Sequence, residues 1–234
     1  MEIKTKENVI TRLRDQEGVN IFTLSKFLQL YFRHSDLPSQ IDVLFVSSTV
    51  TVNQNVVDKR RKATSRYAII GDKDFIHYLS FLMNSNVGKK KLLQLSTGSK
   101  LNLRTLVAYP LPNEDLSDRM GVMALTAVMD LLDKWFGSDV AHDNLMDSYR
   151  VFFSLVHDNY VMQLYLPEEF AERRVDIVGP WNSLMNEAHI KFGRFPLDID
   201  ELEAFFDFTL EQGKRFLAEL NKLKVFGLEL FKTL

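Results

Sequence analysis

Cysteine is absent from the 234 residues, which excludes a disulfide scaffold, a thiolate nucleophile and any cysteine-ligated zinc or iron–sulfur centre. No apolar run approaches the roughly 20 residues that cross a bilayer, so no membrane partner is expected. Met1 is followed by Glu2, Lys4, Lys6 and Glu7 rather than by an apolar leader core, so no secretory signal is expected either. Glycine (10) and proline (6) are modest, and no repeat or low-complexity tract occurs; disorder is expected at the ends at most. His34, His77, His142, His157 and His189 show no i, i+4 pairing and no carboxylates at ligand spacing, so no metal site is expected. A glycine-rich phosphate loop, a nucleophile elbow and a recognisable Ser-His-Asp set are missing too, and neither a cofactor nor a catalytic residue is expected. What is present, 46% hydrophobic and 26% charged residues, suits one large or two small globular domains in a soluble, cytoplasmic chain.

The formal charge of -2 conceals a polarity along the chain. Residues 1–50 carry 6 Lys/Arg and 6 Asp/Glu, residues 51–110 carry 11 and 3, and residues 111–234 carry 12 and 22. The blocks are therefore neutral, +8 and -10. A basic middle suits phosphate, and an acidic second half suits a different partner; two solvated faces with clustered charge would read the same way.

Leu24, Phe27, Leu28 and Tyr31 recur at helical spacing before the turn at 35–39. Val43–Val46 and the Ser/Thr/Val stretch 47–52 read as a strand or hairpin, and Tyr67–Ile70 as a short buried strand. Asp74 is expected to cap a helix with Phe75, Tyr78, Leu79 and Leu82 on one face, and a second helix covers 87–95. Leu101–Tyr109 reads as a strand that Pro110 and Pro112 terminate, which puts the domain boundary there. Beyond it the period is helical. Leu116, Met120, Met123, Ala127, Leu131 and Trp135 form one stripe closed by Gly137, and Tyr149, Phe152, Val156 and Tyr160 form another that packs on it. Pro167 breaks the pattern, Trp181–Phe192 is a short helix, and Asp198 with Glu201 reads as a capping box before a helical tail.

The basic block offers the clearest chemistry. Lys59, Arg60, Arg61, Lys62 and Arg66 lie in a polar stretch between strand candidates; Lys89, Lys90 and Lys91 open a helix; Lys100 and Arg104 follow. On loops sharing one rim of a small sheet these cations would meet phosphates, while Asn53, Asn55, Thr97 and Ser99 could reach base edges. Aromatic residues are sparse among them, which favours duplex over single-stranded nucleic acid. An ordinary charged hairpin tip would look alike.

The segments IDVLFVSSTV, RYAII, DFIHYLSFLMNS, TGSKLNLRTL and VAYPLP follow one another in residues 41–112. In this order they resemble the second half of a target recognition domain from the specificity subunits of type I restriction-modification systems. YVMQLYLPEEF at Tyr160–Phe170 is similar to a segment of the specificity regions fused to adenine methyltransferases. Ile41 stands where the family has Gly, the family's N-terminal half is abbreviated, and no Asn-Pro-Pro-Tyr methyltransferase motif occurs. The resemblance implies sequence-specific double-stranded DNA recognition, with loop and turn residues approaching the major groove. The helical part would space the domain and dock on an adenine DNA methyltransferase or restriction subunit, which would supply the catalysis.

The expected architecture is α+β: a small mixed-sheet, target-recognition-like domain at 1–112 and a helical domain at 113–234. The competing expectation is a protein-interaction module acting through the acidic helical half. A third reading rests on Arg150 and His157, seven apart on one helix, which resemble the Arg and His of the HEPN ribonucleases, although Val151 replaces the polar residue usual after that Arg.

Overall fold

The computed structural model describes residues 9–31, 42–47, 52–54, 65–95, 101–112, 120–136 and 144–233. The chain divides into two compact units, Val9–Asn113 and Glu114–Thr233. The fold is α+β, with a mostly helical second half.

In the first unit, β2 (Asn20–Thr23), β3 (Asp42–Ser47), β4 (Val52–Gln54) and β5 (Ser65–Gly71) form one sheet in the order β2-β5-β3-β4. Every pairing is antiparallel, so the sheet is not mixed. Its two faces follow from strand alternation. Val43, Phe45, Ala68 and Ile70 join Phe27 of α1 (Leu24–Tyr31) in one cluster, where Phe27 meets Phe45 edge-on at 5.7 Å. Leu44, Val46 and Ile69 alternate with them, are fully buried, and face the layer that contains α2 (Lys73–Asn84).

The cap of α2 is Asp72, whose Oδ1 accepts from Phe75 N at 2.9 Å, and not Asp74, which lies in the first turn. Asp72 sits three residues before the N–H it satisfies, the spacing that a side-chain cap requires. α3 (Asn86–Leu95) follows directly. Ser85 Oγ donates to Leu82 O at 2.7 Å and accepts from Gly88 N at 2.9 Å, and a Cβ on Gly88 would run into the Leu82 carbonyl.

Two expectations fail next. Leu101–Tyr109 is not a strand: Asn102 Oδ1 accepts from Thr105 N at 2.9 Å and starts α4 (Leu103–Val107). The apolar run suggested an extended chain, but a local side-chain cap and the burial of Thr105 and Leu106 on one side favour a helical turn. Pro110 and Pro112 do not end regular structure either. They form β6 (Pro110–Pro112), paired with β1 (Val9–Arg12) in a separate two-stranded ribbon, where a strand needs hydrogen bonds on one side only and tolerates proline.

The second unit consists of α5 (Met120–Phe136), α6 (Asn144–Tyr165), α7 (Pro167–Glu172), α8 (Val178–Phe192), α9 (Ile199–Gln212) and α10 (Lys214–Thr233) among the described residues. α5 packs on α6 and α8, but with a different face from the expected stripe. Gly121, Leu125, Val128 and Leu132 are buried, Met123 is 52% exposed, and Met120, Ala127, Leu131 and Trp135 are only partly buried. The helix is apolar nearly all round, so several lines satisfy a 3.6-residue period. The approach of Gly121 to α8 selects among them: Gly121 N donates to Asn182 Oδ1 at 3.1 Å, and Trp181 Nε1 donates to Gly121 O at 3.1 Å. Leu116 and Gly137 lie outside the described residues.

Tyr149, Val156 and Tyr160 are buried and Phe152 partly so. Tyr160 OH donates to the same Asn182 Oδ1 at 3.3 Å. Phe206 meets Tyr149 at 4.6 Å and Phe152 at 5.2 Å, which ties α9 to α6. Asp198 caps α9 by accepting from Glu201 N. The reciprocal half of the box is shifted by one residue, since Glu201 Oε2 accepts from Leu197 N at 2.8 Å. Gly213 separates α9 from α10, so the tail is two helices.

Candidate nucleic-acid interface

The site residues fall on several elements of the first unit. β3 pairs Val46 with Tyr67 and Ser47 with Ser65, so Arg66 is the extra residue of a β-bulge. A bulge breaks the ladder and re-aims the side chain; Arg66 is exposed. Asn53 sits on the edge strand β4 opposite Phe45. Asn55, Lys59, Arg60, Arg61 and Lys62 lie in 55–64, and Thr97, Ser99 and Lys100 in 96–100, outside the described residues.

One contact ties β5 to the start of the stretch that carries Arg104. Tyr67, directly after Arg66, donates its hydroxyl hydrogen to the carbonyl oxygen of Leu101, directly after Lys100, at 3.2 Å. Arg104 follows on α4 and is exposed. α3 packs beside α4 and carries Lys89 and Lys90, both partly buried.

Lys91 departs from expectation: it is 3% exposed and does not join Lys89 and Lys90 as a surface cation. Consecutive helical residues point about 100° apart, and Lys91 stands four after Val87, on the face buried with Gly88 and Leu92. Burial first, then the charge of Lys91, hold the Lys90 ammonium below the ordinary lysine range.

Unit boundaries and charge coincide. Val9–Asn113 contains 15 Lys/Arg and 7 Asp/Glu, net +8, while Glu114–Thr233 contains 12 and 22, net -10. Among the described residues no cluster of His, Asp and Glu could hold a metal, and no helix is long and apolar enough to cross a membrane.

Arg150 and His157 do not open to solvent together. The Arg150 guanidinium lies 4.5 Å over the Phe136 ring and 3.8 Å from Asp133 Oδ1, while His157 is 5% exposed. The same helix borders a feature that sequence reasoning missed. A groove of about 500 Å³ runs between α6, which supplies Asp147, Val151, Phe152 and Leu155, and α10, which supplies Leu217, Leu220 and Lys224. Val151 is 70% exposed and Leu155 44%. The signal was present as the apolar Val151 beside an exposed Arg150, a position where a solvated helix face would carry a polar side chain.

No protein-family model, curated protein or solved structure matches the chain.

Proposed function

We propose that the α/β unit is a double-stranded DNA recognition module, the sequence-reading component of a cytoplasmic restriction-modification or related defence system. In this reading catalysis belongs to an adenine methyltransferase or restriction subunit. The observation that carries it is the Tyr67–Leu101 hydrogen bond, which ties the strand of the exposed Arg66 to the chain just ahead of α4 and its exposed Arg104, within a unit of net charge +8. Phosphate contacts need several cations on one surface, and exposed Arg66 and Arg104 on elements joined by this bond support that reading.

Titrating labelled duplex with the full chain across about 50–200 mM salt tests this, because log K falls with log salt by about 0.9 per phosphate neutralised. Arg66→Gln and Arg104→Gln should each flatten that slope by roughly one unit. Tyr67→Phe should weaken binding while leaving the cation count intact. No duplex binding at the lowest salt, or slopes unchanged in both arginine variants, would overturn the reading.

A second reading, that the acidic helical unit is a protein-interaction surface, is favoured by the apolar groove between α6 and α10. Exposed valine and leucine on the walls of a groove are a common mark of a protein contact.

A further inference from the structure

Successive residues of a helix turn by about 100°, and on α3 this separates two faces. Val87, Gly88, Lys91 and Leu92 are buried. On the other side Lys89, Leu93, Asn86, Lys90 and Gln94 follow one another around an arc of about 140°. Asn86, Leu93 and Gln94 are exposed and both lysines partly so; outside that arc only Leu95, the last residue, is exposed. The outward face therefore offers two ammonium groups, two carboxamides and, between the lysines, a leucine that is 54% exposed. It offers no carboxylate, because α3 contains no Asp or Glu.

A merely solvated helix face mixes charges of both signs. Cations alone around an apolar side chain suit a partner that is negative at its edges and apolar in places. Duplex DNA is such a partner, since phosphates line its grooves and thymine methyl groups stand on the floor of the major groove.

On the duplex reading above, we infer that α3 is the helix that enters the major groove and that it reads A·T pairs through Leu93 and Gln94. A helix with its side chains is about 10–12 Å across and fits a groove roughly 12 Å wide. The ten residues of α3 extend about 15 Å, or about four base-pair steps. Lys89 and Lys90, on either side of Leu93, supply charge to the phosphates, and α4 with Arg104 packs alongside. Leu93 covers the C5-methyl group of a thymine. Gln94, on the same turn, donates its carboxamide N–H to adenine N7 and accepts from adenine N6–H, a pair of contacts that only adenine offers in that groove.

Selection by the full chain from a pool of randomised duplexes, followed by titration of the enriched duplex, tests this. Replacing adenine by 7-deazaadenine removes N7, and at one position it should weaken wild-type binding about 2- to 10-fold, the worth of one hydrogen bond. Replacing thymine by uracil removes only the methyl group, and at one position it should cost about fourfold. Gln94→Ala should be indifferent to 7-deazaadenine and still sense uracil; Leu93→Ala should show the reverse. The base analogues alter the DNA alone, so this crossed pattern separates a base contact from a damaged fold. Lys89→Gln should flatten the salt slope by roughly one unit on any duplex. If no duplex binds, the duplex reading and the role of α3 fall together. If an enriched duplex is bound but both variants respond to the analogues as wild type does, the role of α3 alone is overturned and another element reads the bases. Binding with no enriched sequence overturns it too and leaves phosphate contact only.

Discussion

Gly121→Ala sets helix propensity against packing, and the two predict opposite signs. Alanine is favoured over glycine inside a helix by about 1 kcal/mol, and residue 121 is the second residue of α5, so propensity alone predicts a small gain. A Cβ there would collide with Asn182 Oδ1 and lie 2.6 Å from Trp181 Cδ1. Relief requires a shift of either neighbour. Withdrawing Asn182 loses the hydrogen bonds that its Oδ1 accepts from Gly121 N and Tyr160 OH, each worth about 1 kcal/mol net and more where a buried donor is orphaned. Moving α5 away from α8 breaks the Trp181 Nε1 bond to Gly121 O and loosens the packing around a fully buried tryptophan. Overpacking of this kind costs about 1–3 kcal/mol, so the net expectation is a loss of about 2–4 kcal/mol. Both tryptophans, Trp135 and Trp181, lie in the helical unit, so fluorescence during urea unfolding reports on that unit. At a slope of about 1–3 kcal/mol/M the midpoint should fall by roughly 1–4 M. A midpoint at or above that of wild type would refute the close approach of α5 to α8. The effect should also be non-additive with Asn182→Ala, which removes the colliding atom.

The displaced stripe on α5 has its own test: Leu132→Ala, at a fully buried site, should cost about 2–5 kcal/mol, whereas Leu131→Ala, partly exposed, should cost roughly 1 kcal/mol or less. Equal losses would contradict the packing described. Lys90 supplies a pH dependence. Its pKa is depressed in the folded state, so the unfolded state binds the proton more tightly; the cost of the charged form is complete at neutral pH and fades as pH rises through the folded-state value towards the ordinary lysine value. Lys90→Met should therefore exceed wild type in stability at pH 7, with the gap closing on the alkaline side, and a gap constant up to about pH 11 would show that Lys90 does not titrate abnormally.

Where one physical signal dominated, the fold was legible. Val43–Val46 and Tyr67–Ile70 are short, β-branched and apolar, and they form the central strands β3 and β5. The spacing of Leu24, Phe27 and Leu28 gives α1 because only one face of that helix is apolar. Legibility failed where several solutions satisfied the same pattern. The sequence of α5 permits more than one buried line, and a glycine, which carries no hydrophobic signal, decides between them. The stretch 101–109 has the composition of a strand, and a single Asn102 side chain turns it into a helix. Antiparallel rather than mixed pairing was not readable, because pairing direction is set by the path of connections that periodicity does not encode.

For the candidate interface, counting charges overstates what a surface presents. Lys89, Lys90 and Lys91 are one basic run in the sequence, but three consecutive helical positions sweep about 200°. A helix that buries Val87 and Leu92 must turn at least one of the three inward, and the spacing from Val87 selects Lys91. Strands and bulges act the other way: Arg66 is a single cation in an apolar β5 segment, but the bulge leaves it without a partner residue on β3 and turns it outward. A further, non-ionic contact joins β5 to the chain ahead of Arg104, between Tyr67 and the carbonyl of Leu101, 34 residues apart. Tyrosine at that position reads as one more apolar strand residue, because its aromatic body satisfies the hydrophobic pattern while its hydroxyl needs a polar partner that only the folded chain can supply. Composition could locate the cations, but the contact that ties β5 to the chain ahead of α4 is made by a residue that composition assigns to the core.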